Sequence, residues 1–317
     1  AGAIIQSDPN PTSTGYHRID GRLDNQGTMN INYNLRLYST AAGSSNSGIL
    51  NISAGKDFIV AAGVWNYDGG TVSTTGRLYF ENATGRFNTA TMPDIVSYFT
   101  GGTLATTLGS VTSAAKIQLA NNNTISAALA LDDTLQIMHQ SNSVTGAFST
   151  TTSAVILMDG SLSHSFITFS NGFINNGLIK MISATTFYSN LVVSSGILTN
   201  AAGAIIQSDP NPTSTGYHRF DGRLDNQGTL NINYNLRLYS TAAGSNNTGI
   251  INIATGKQLI VSAGVWNWNG GTALGSGQLT FENATGNFNT PTMPNWESNF
   301  TSSTLGSTQL PLTSARV

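Results

Sequence analysis

A long internal repeat limits what this chain can fold into. Residues 1–99 return as residues 202–300 at an offset of 201 positions, and roughly three quarters of them are identical. The best-kept stretch, GRLDNQGTMNINYNLRLYST at 21–40, returns at 222–241 with a single change from Met to Leu. A repeat of this kind is typical of a tandem array, in which each structural unit packs on its neighbours in sequence.

The repeat also defines the domain organisation that we expect. Residues 1–201 form one complete repeat and residues 202–317 form part of a second one, and we predict that both belong to one continuous solenoid. The chain does not begin with Met and it stops within the second copy. We therefore expect it to be a window of a longer array.

Short runs of alternating hydrophobicity indicate β-strands. Met29 and Ile31 flank Asn30, and Leu35 and Leu37 flank Arg36, which is the period of two of a half-buried strand. Similar pairs recur about every 20 to 30 residues, and β-branched residues dominate. We predict an all-β fold, a β-solenoid with coils of about 20 to 28 residues.

A second motif marks the corners of the coils. It reads Gly, any residue, apolar residue, any residue, Asn, and it suits sharp turns because Gly and Asn tolerate the left-handed region. Stacked copies of this motif would let the Asn side chains bond to one another in a ladder. The predicted corner residues are Gly21, Asn25, Gly172, Asn176, Gly196, Asn200, Gly222 and Asn226.

Three phrases carry a resemblance to a known group of proteins: GILTNAAGAIIQS, GRLDNQGTMNI and GVWNYDGGTVSTTGRLYFENATG. They resemble the parallel β-helix repeats of bacterial surface proteins, namely autotransporter passengers and filamentous-haemagglutinin-type adhesins. The resemblance implies a right-handed β-helix, and the same hand is preferred for parallel crossover connections. It also implies an extracellular or cell-surface location in a bacterium.

Composition excludes several classes of function. Only 9% of the residues are charged and the net charge is −2, whereas a protein that binds nucleic acid needs a basic face. The chain has no cysteine, which excludes disulfides and thiolate metal sites. No apolar run in the sequence is long enough for a membrane helix. We predict no cofactor.

Our first hypothesis for function is a structural protein without enzymatic activity. It would be a segment of a long, repetitive filament or adhesin stalk, and its partners would be copies of itself that stack through coils and exposed strand edges. The alternative is a carbohydrate-active lyase or hydrolase, or a glycan-binding adhesin that also uses the proline-rich loops at 7–15 and 208–216.

The alternative rests on a charged cluster and on tryptophans beside turns. An outward strand with cross-coil ion pairs also explains the cluster and is the interpretation that we favour, and we favour tryptophans that cap the apolar core over a sugar platform. The residues predicted to contact a glycan or another partner are Tyr16, His17, Arg18, Asp20, Arg22, Asp24, Trp65, Tyr217, His218, Arg219, Asp221, Trp266 and Trp268.

Adjacent acids at Asp132 and Asp133 resemble those of β-helix polygalacturonases, but the Gly-His-Gly motif of that family is absent. We expect a turn at this position. Asp132, Asp133 and Asp159 are also candidate calcium ligands, yet the sequence contains neither an EF-hand loop nor a glycine-rich nonapeptide array. We therefore predict no catalytic residue and no metal ligand.

Overall fold

The computed structural model describes residues 2–9, 12, 14–73, 75–184, 186–210, 217–241 and 243–308. Every regular element among these residues is a β-strand, as the sequence predicts. The tips of both proline-rich loops, residues 10, 11 and 13 and residues 211–216, lie outside the described residues. The chain divides into two compact units, which are residues 1–136 with 141–148, and residues 137–140 with 149–317.

The strands of the first unit are short. They are Ile4–Ser7, His17–Asp20, Asp24–Asn25, Thr28–Ile31, Leu35–Tyr38, Ser44–Asn46, Ile49–Ile52, Asp57–Tyr67, Thr71–Val72, Arg77–Glu81, Ala83–Phe87, Val96–Thr100, Thr103–Ala105, Val111–Ser113, Ile117–Leu119, Thr124–Ile125, Leu129–Leu131 and Asn142–Val144. Two further strands, Thr134–Ile137 and Phe148–Thr150, contain residues of both units.

The second unit repeats the pattern. Its strands are Val155–Gly160, Ser165–Phe169, Phe173–Asn175, Leu178–Ser183, Ser189–Asn200, Ile205–Ser208, His218–Asn226, Thr229–Ile232, Leu236–Tyr239, Ser245–Asn247, Ile250–Ile253, Gln258–Trp268, Thr272–Gly275, Gln278–Glu282, Ala284–Phe288, Glu297–Thr301 and Thr304–Gly306.

All strand pairs within each unit are parallel and join one coil to the next, which makes each unit a β-solenoid. In the first unit Met29 pairs with Leu50 across a regular coil, whereas the coil that pairs Val111 with Leu129 is shorter. In the second unit the coil that pairs Leu191 with Phe220 is longer than either. Coil length thus spreads slightly beyond the range expected from the sequence. The right hand of the helix stays a prediction.

Each regular coil places one strand in each of three columns. The second column of the first unit matters most below, and it contains Leu35–Tyr38, the first part of Asp57–Tyr67, Arg77–Glu81, Val96–Thr100 and Ile117–Leu119. The long strand Asp57–Tyr67 bends from the second column into the third. Gly63 allows the bend, since its φ is +72° and a Cβ there would lie 2.5 Å from the carbonyl oxygen of Thr40.

The core is a stack of like side chains inside each coil. Alternate residues of every strand point inward, so Leu78 and Phe80 are fully buried while Tyr79 between them is half-buried. Phe80 stacks on Phe99 of the next coil with ring centroids 4.6 Å apart. In the second unit Phe281 stacks on Phe300 in the same way, at 4.7 Å.

Candidate functional site

The charged cluster forms pairs within one strand. Arg18 and Asp20 lie two residues apart on the strand His17–Asp20, and their charged groups are 2.8 Å apart. The guanidinium of Arg18 also lies over the ring of Tyr38, 4.2 Å from its centroid. The ion pair joins neighbours along one strand, not residues of successive coils as the cross-coil hypothesis expected, whereas the contact with Tyr38 reaches the next coil. Exposed pairs of this kind contribute little to stability.

The second copy repeats this arrangement. Arg219 and Asp221 are 2.6 Å apart, and the guanidinium of Arg219 lies 4.0 Å from the ring centroid of Tyr239. Tyr16 and Tyr217, the tyrosines at the start of each cluster, contact an arginine of the next coil. The guanidinium of Arg36 lies over Tyr16, and that of Arg237 lies over Tyr217. Both copies therefore present the same short belt of cations and tyrosine rings.

Arg22 and Asp24 stand apart from this belt. Asp24 is exposed and accepts hydrogen bonds from Ser45 at 2.6 Å and Gln26 at 3.0 Å. The bond from Ser45 is the main reason why the pKa of Asp24 lies below its usual value. Arg22 is exposed, and its counterpart Arg223 donates to the carbonyl of Gly244.

The two histidines of the cluster lie in different environments. His17 is exposed, and its Nδ1 is 2.8 Å from the hydroxyl of Ser7. His218 is fully buried between two coils, with Nε2 3.0 Å from Ser183 and Nδ1 3.0 Å from Ser208. A buried ring cannot touch an external sugar, so the predicted glycan contact does not hold for His218.

Hydrogen-bond logic assigns the proton of His218. The hydroxyl of Ser208 donates to the carbonyl of Tyr234 at 2.7 Å, so Ser208 must accept from the histidine Nδ1–H. Because burial keeps the ring neutral at pH 7, Nε2 carries no proton and accepts from Ser183. Burial accordingly lowers the pKa of His218 from 6.5 to about 4.

The tryptophans are core residues. Trp65 and Trp266 have no exposed surface, and Trp268 is 3% exposed. Trp65 meets Phe58 edge to face with ring centroids 4.9 Å apart, and Trp268 meets Trp296 in the same way at 5.7 Å. The predicted sugar platform of Trp65, Trp266 and Trp268 is therefore corrected, since these rings cap the interior.

The corner asparagines form the predicted ladder. In the second unit the side-chain amide of Asn175 donates to Asn200 at 2.9 Å, Asn200 donates to Asn226 at 2.8 Å, and Asn226 donates to Asn247 at 2.7 Å. In the first unit Asn25 donates to Asn46 at 2.7 Å. All of these asparagines are buried, so each rung satisfies an amide that would otherwise lack a partner.

The structure corrects one member of the predicted set. Asn175, and not Asn176, lies in the ladder, because Asn175 is the inward residue of the strand Phe173–Asn175. Asn176 lies one residue later and its side chain donates to the carbonyl of Thr150. The ladder residues also lie in strands and not in the left-handed region, which a few other asparagines such as Asn82 occupy.

The corner positions require glycine for two different reasons. Gly21, Gly196 and Gly222 have φ values of +112°, +79° and +136°. Gly172 does not belong to this positive-φ group. A Cβ on Gly172 would instead lie 2.3 Å from the backbone nitrogen of Ile197 in the next coil. The motif therefore combines turn geometry with close approach of neighbouring coils.

The paired acids lie in a turn. Asp132 and Asp133 connect the strands Leu129–Leu131 and Thr134–Ile137, and Asp133 accepts a hydrogen bond from the backbone of Thr134. No group of three or more His, Cys, Asp or Glu with the geometry of a metal site occurs in the described part of the chain. Nor do the described residues form a helix with the length and apolarity needed to cross a membrane.

Sequence reasoning missed a set of outward residues on the second column of the first unit. Tyr79 and Tyr98 lie side by side on adjacent coils, flanked by Arg77 and Asp57. We call these four residues the aromatic face. A comparison of the two copies is the signal that finds them, since the second copy has Thr280, Asn299, Gln278 and Gln258 at the same four positions.

Comparison with known proteins adds no relative, since no family model, no curated protein and no solved structure matches this chain.

Proposed function

We propose that this chain is a non-enzymatic structural segment of a long, repetitive extracellular filament or adhesin stalk of a bacterium. The observation that carries the proposal is the seam, which is the contact between the last coil of the first copy and the first coil of the second copy. The seam lies inside the second unit, where Leu178–Ser183 pairs with Ile205–Ser208 and residues 190–200 pair with 219–226.

The seam keeps parallel pairing in both columns, although the chain between Val192 and Ile197 bulges out of register with the second copy. Ile179 and Met181 of the first copy stack on Ile206 and Ser208 of the second in unbroken parallel register. The hydrogen bond between Asn200 and Asn226 carries the ladder across the boundary. A solenoid is stabilised through such neighbour contacts, so a copy that meets the next one in this way extends the same core.

Polar contacts make the seam specific. Lys180 of the first copy lies 3.0 Å from Asp209 of the second, and Ser183 of the first copy bonds His218 of the second. Burial opposes the charge on Asp209, but hydrogen bonds from Asn233, Gln207 and Lys180 outweigh it and lower its pKa.

The first copy carries the same receiving residues. Residues 1–18 are identical to residues 202–219, including Asp8 and His17 at the positions of Asp209 and His218. Every junction between two copies can therefore use the same contacts. This supports a role in which added copies lengthen a filament or stalk. The resemblance to bacterial surface β-helices supports the extracellular location.

The test is a series of chains with one, two and three complete 201-residue copies, imaged by electron microscopy. A stalk requires a contour length that grows by a constant increment for each copy. The matched control carries Ile179→Asp and Ile206→Asp, which place unpaired charges at two buried positions that face each other in the seam and should produce separate particles on a string. Separate particles in the uninterrupted series would contradict the proposal.

A further inference from the structure

The aromatic face is a second cluster of tyrosine rings, separate from the belts of cations and tyrosines that both copies carry. The rings of Tyr79 and Tyr98 have centroids 4.7 Å apart and planes at 77°, and both are half-buried with their remaining surface turned outward. Ile59 pairs with Tyr79 one coil earlier but is buried, at 8% exposed. The two tyrosine rings alone form the exposed apolar strip, which runs across two successive coils.

Ion pairs border this strip on both sides. Arg77 donates two hydrogen bonds to the carboxylate of Asp57, at 2.8 and 3.0 Å, and its guanidinium lies 5.7 Å from the ring centroid of Tyr98. On the other side Arg36 bonds Glu81 across two coils. Each cation has a carboxylate partner, so the patch offers fixed hydrogen-bonding groups with no net charge.

An open cleft borders the same patch. It is lined by residues of four successive coils, and Val96, which pairs with Arg77, is one of them. Asp94, Lys116 and Asp133 supply polar groups along it, and its volume is about 390 Å³. That volume falls within the range of about 300 to 1,000 Å³ that is usual for ligand sites.

The fold does not require the tyrosine rings. The second copy keeps the same core stack, Phe281 on Phe300, with Thr280 and Asn299 at the two positions on the outside. The ion pair of Asp57 and Arg77 is replaced there by a hydrogen bond between Gln258 and Gln278 at 2.7 Å. The aromatic face is thus a feature of the first copy alone, added to a scaffold that stands without it.

We propose that the aromatic face, with the cleft beside it, binds a neutral oligosaccharide of β-linked hexoses. Such sugars have flat apolar C–H faces that stack on tyrosine rings, and hydroxyl groups at their edges that bond to paired Arg and Asp side chains. A neutral sugar fits because every guanidinium here already faces a carboxylate. The hydroxyl of Tyr79 is protonated at neutral pH and can donate, and burial raises its pKa further. The site is independent of the stalk role.

The experiment is calorimetric titration of the 317-residue chain with cellohexaose, beside the double variant Tyr79→Thr/Tyr98→Asn. This variant carries the residues of the second copy, so we expect its thermal unfolding to match the wild type while its affinity falls at least about tenfold, or about 1.4 kcal/mol. The matched control, Thr280→Ala/Asn299→Ala, alters the same positions of the second copy and should bind like the wild type with one site per chain.

A second measurement does not depend on any variant. Nitration of the wild type by tetranitromethane is mapped by mass spectrometry. Cellohexaose should reduce the nitration of Tyr79 and Tyr98, and it should not change the nitration of Tyr188, a half-buried tyrosine of the second unit. Three results would each overturn the proposal: no binding of cellohexaose at millimolar concentration, binding of acidic polygalacturonate oligomers instead, or equal binding by the wild type and the double variant.

Discussion

The side-chain amide of Asn200 donates to the side-chain oxygen of Asn226 across 2.8 Å, and this bond joins the two copies of the sequence repeat. Asn200 also accepts from Asn175, so its amide both gives and receives within the ladder. Because the residue is fully buried, no water replaces these partners. The asparagine ladder therefore stabilises the seam.

Replacing Asn200 with Ala should destabilise the second unit by about 2 to 3 kcal/mol, because the buried amides of Asn175 and Asn226 each lose a hydrogen bond. Thr199→Ala is the matched control, since Thr199 is the outward neighbour on the same strand, and its effect should stay within about 0.5 kcal/mol. Chemical denaturation of both variants measures the difference. Equal effects would show that the ladder contributes nothing of its own.

Acid should weaken the seam through His218. The pKa of this buried ring is lowered to about 4, against 6.5 for an exposed histidine, so the folded state requires the neutral form. The stabilising contribution is complete above pH 6.5 and disappears as the pH falls towards 4, with a limit of about 3 kcal/mol. Asp209 is the charged group that acts on the ring, and it favours protonation.

The measurement is the unfolding midpoint at pH 7 and at pH 4.5. His218→Gln removes the titrating group, so the variant should lose less stability between the two pH values than the wild type does. His17→Gln is the control, because it makes the same substitution at the equivalent, exposed position of the first copy, outside the seam. If His218→Gln lost as much stability between pH 7 and pH 4.5 as the wild type, the acid sensitivity would not come from His218.

A column of glycines makes a sharper test of coil contact. Gly48 has no room for a side chain, since a Cβ there would lie 2.2 Å from the carbonyl oxygen of Gly27 in the preceding coil. Gly48→Ala must push two backbones apart and should cost about 2 to 3 kcal/mol. Gly109→Ala is the control, because nothing lies within 4 Å of its added Cβ and its φ is not positive. Thermal unfolding should separate the two.

Period-two alternation predicted the strands well because it reports burial directly. Leu35 and Leu37 are inward on either side of the half-buried Arg36, as the pattern requires. The choice between Asn175 and Asn176 was beyond sequence, since two adjacent asparagines differ only in which one points inward, and a shift of one residue reverses that. The register of the whole coil decides the matter.

The aromatic face was missed for a related reason. Tyr79 stands in the run Leu78, Tyr79, Phe80, which reads as continuously apolar, and its outward direction appears only once Leu78 and Phe80 are placed in the core. Its partner Tyr98 is distant in sequence and lies on the next coil, so only the pairing of adjacent coils brings the two rings together. The length of each coil decides which residues of successive coils become neighbours. Because coil length varies along this chain, these neighbours cannot be predicted from the sequence alone.

Trp65 provides the last test, because its indole N–H is buried without a hydrogen-bond partner among the described residues. Trp65→Phe should cost less than about 1.5 kcal/mol, since it keeps an aromatic ring and removes the unsatisfied N–H. Trp65→Ala should cost about 3 to 5 kcal/mol through the cavity that it leaves. Trp266 is equally buried and also lacks a partner for its N–H, although Leu259 replaces Phe58 there, so it should give similar values in denaturant unfolding. If Trp65→Ala left stability unchanged, the ring would belong on the surface after all, and its burial against Phe58 would be refuted.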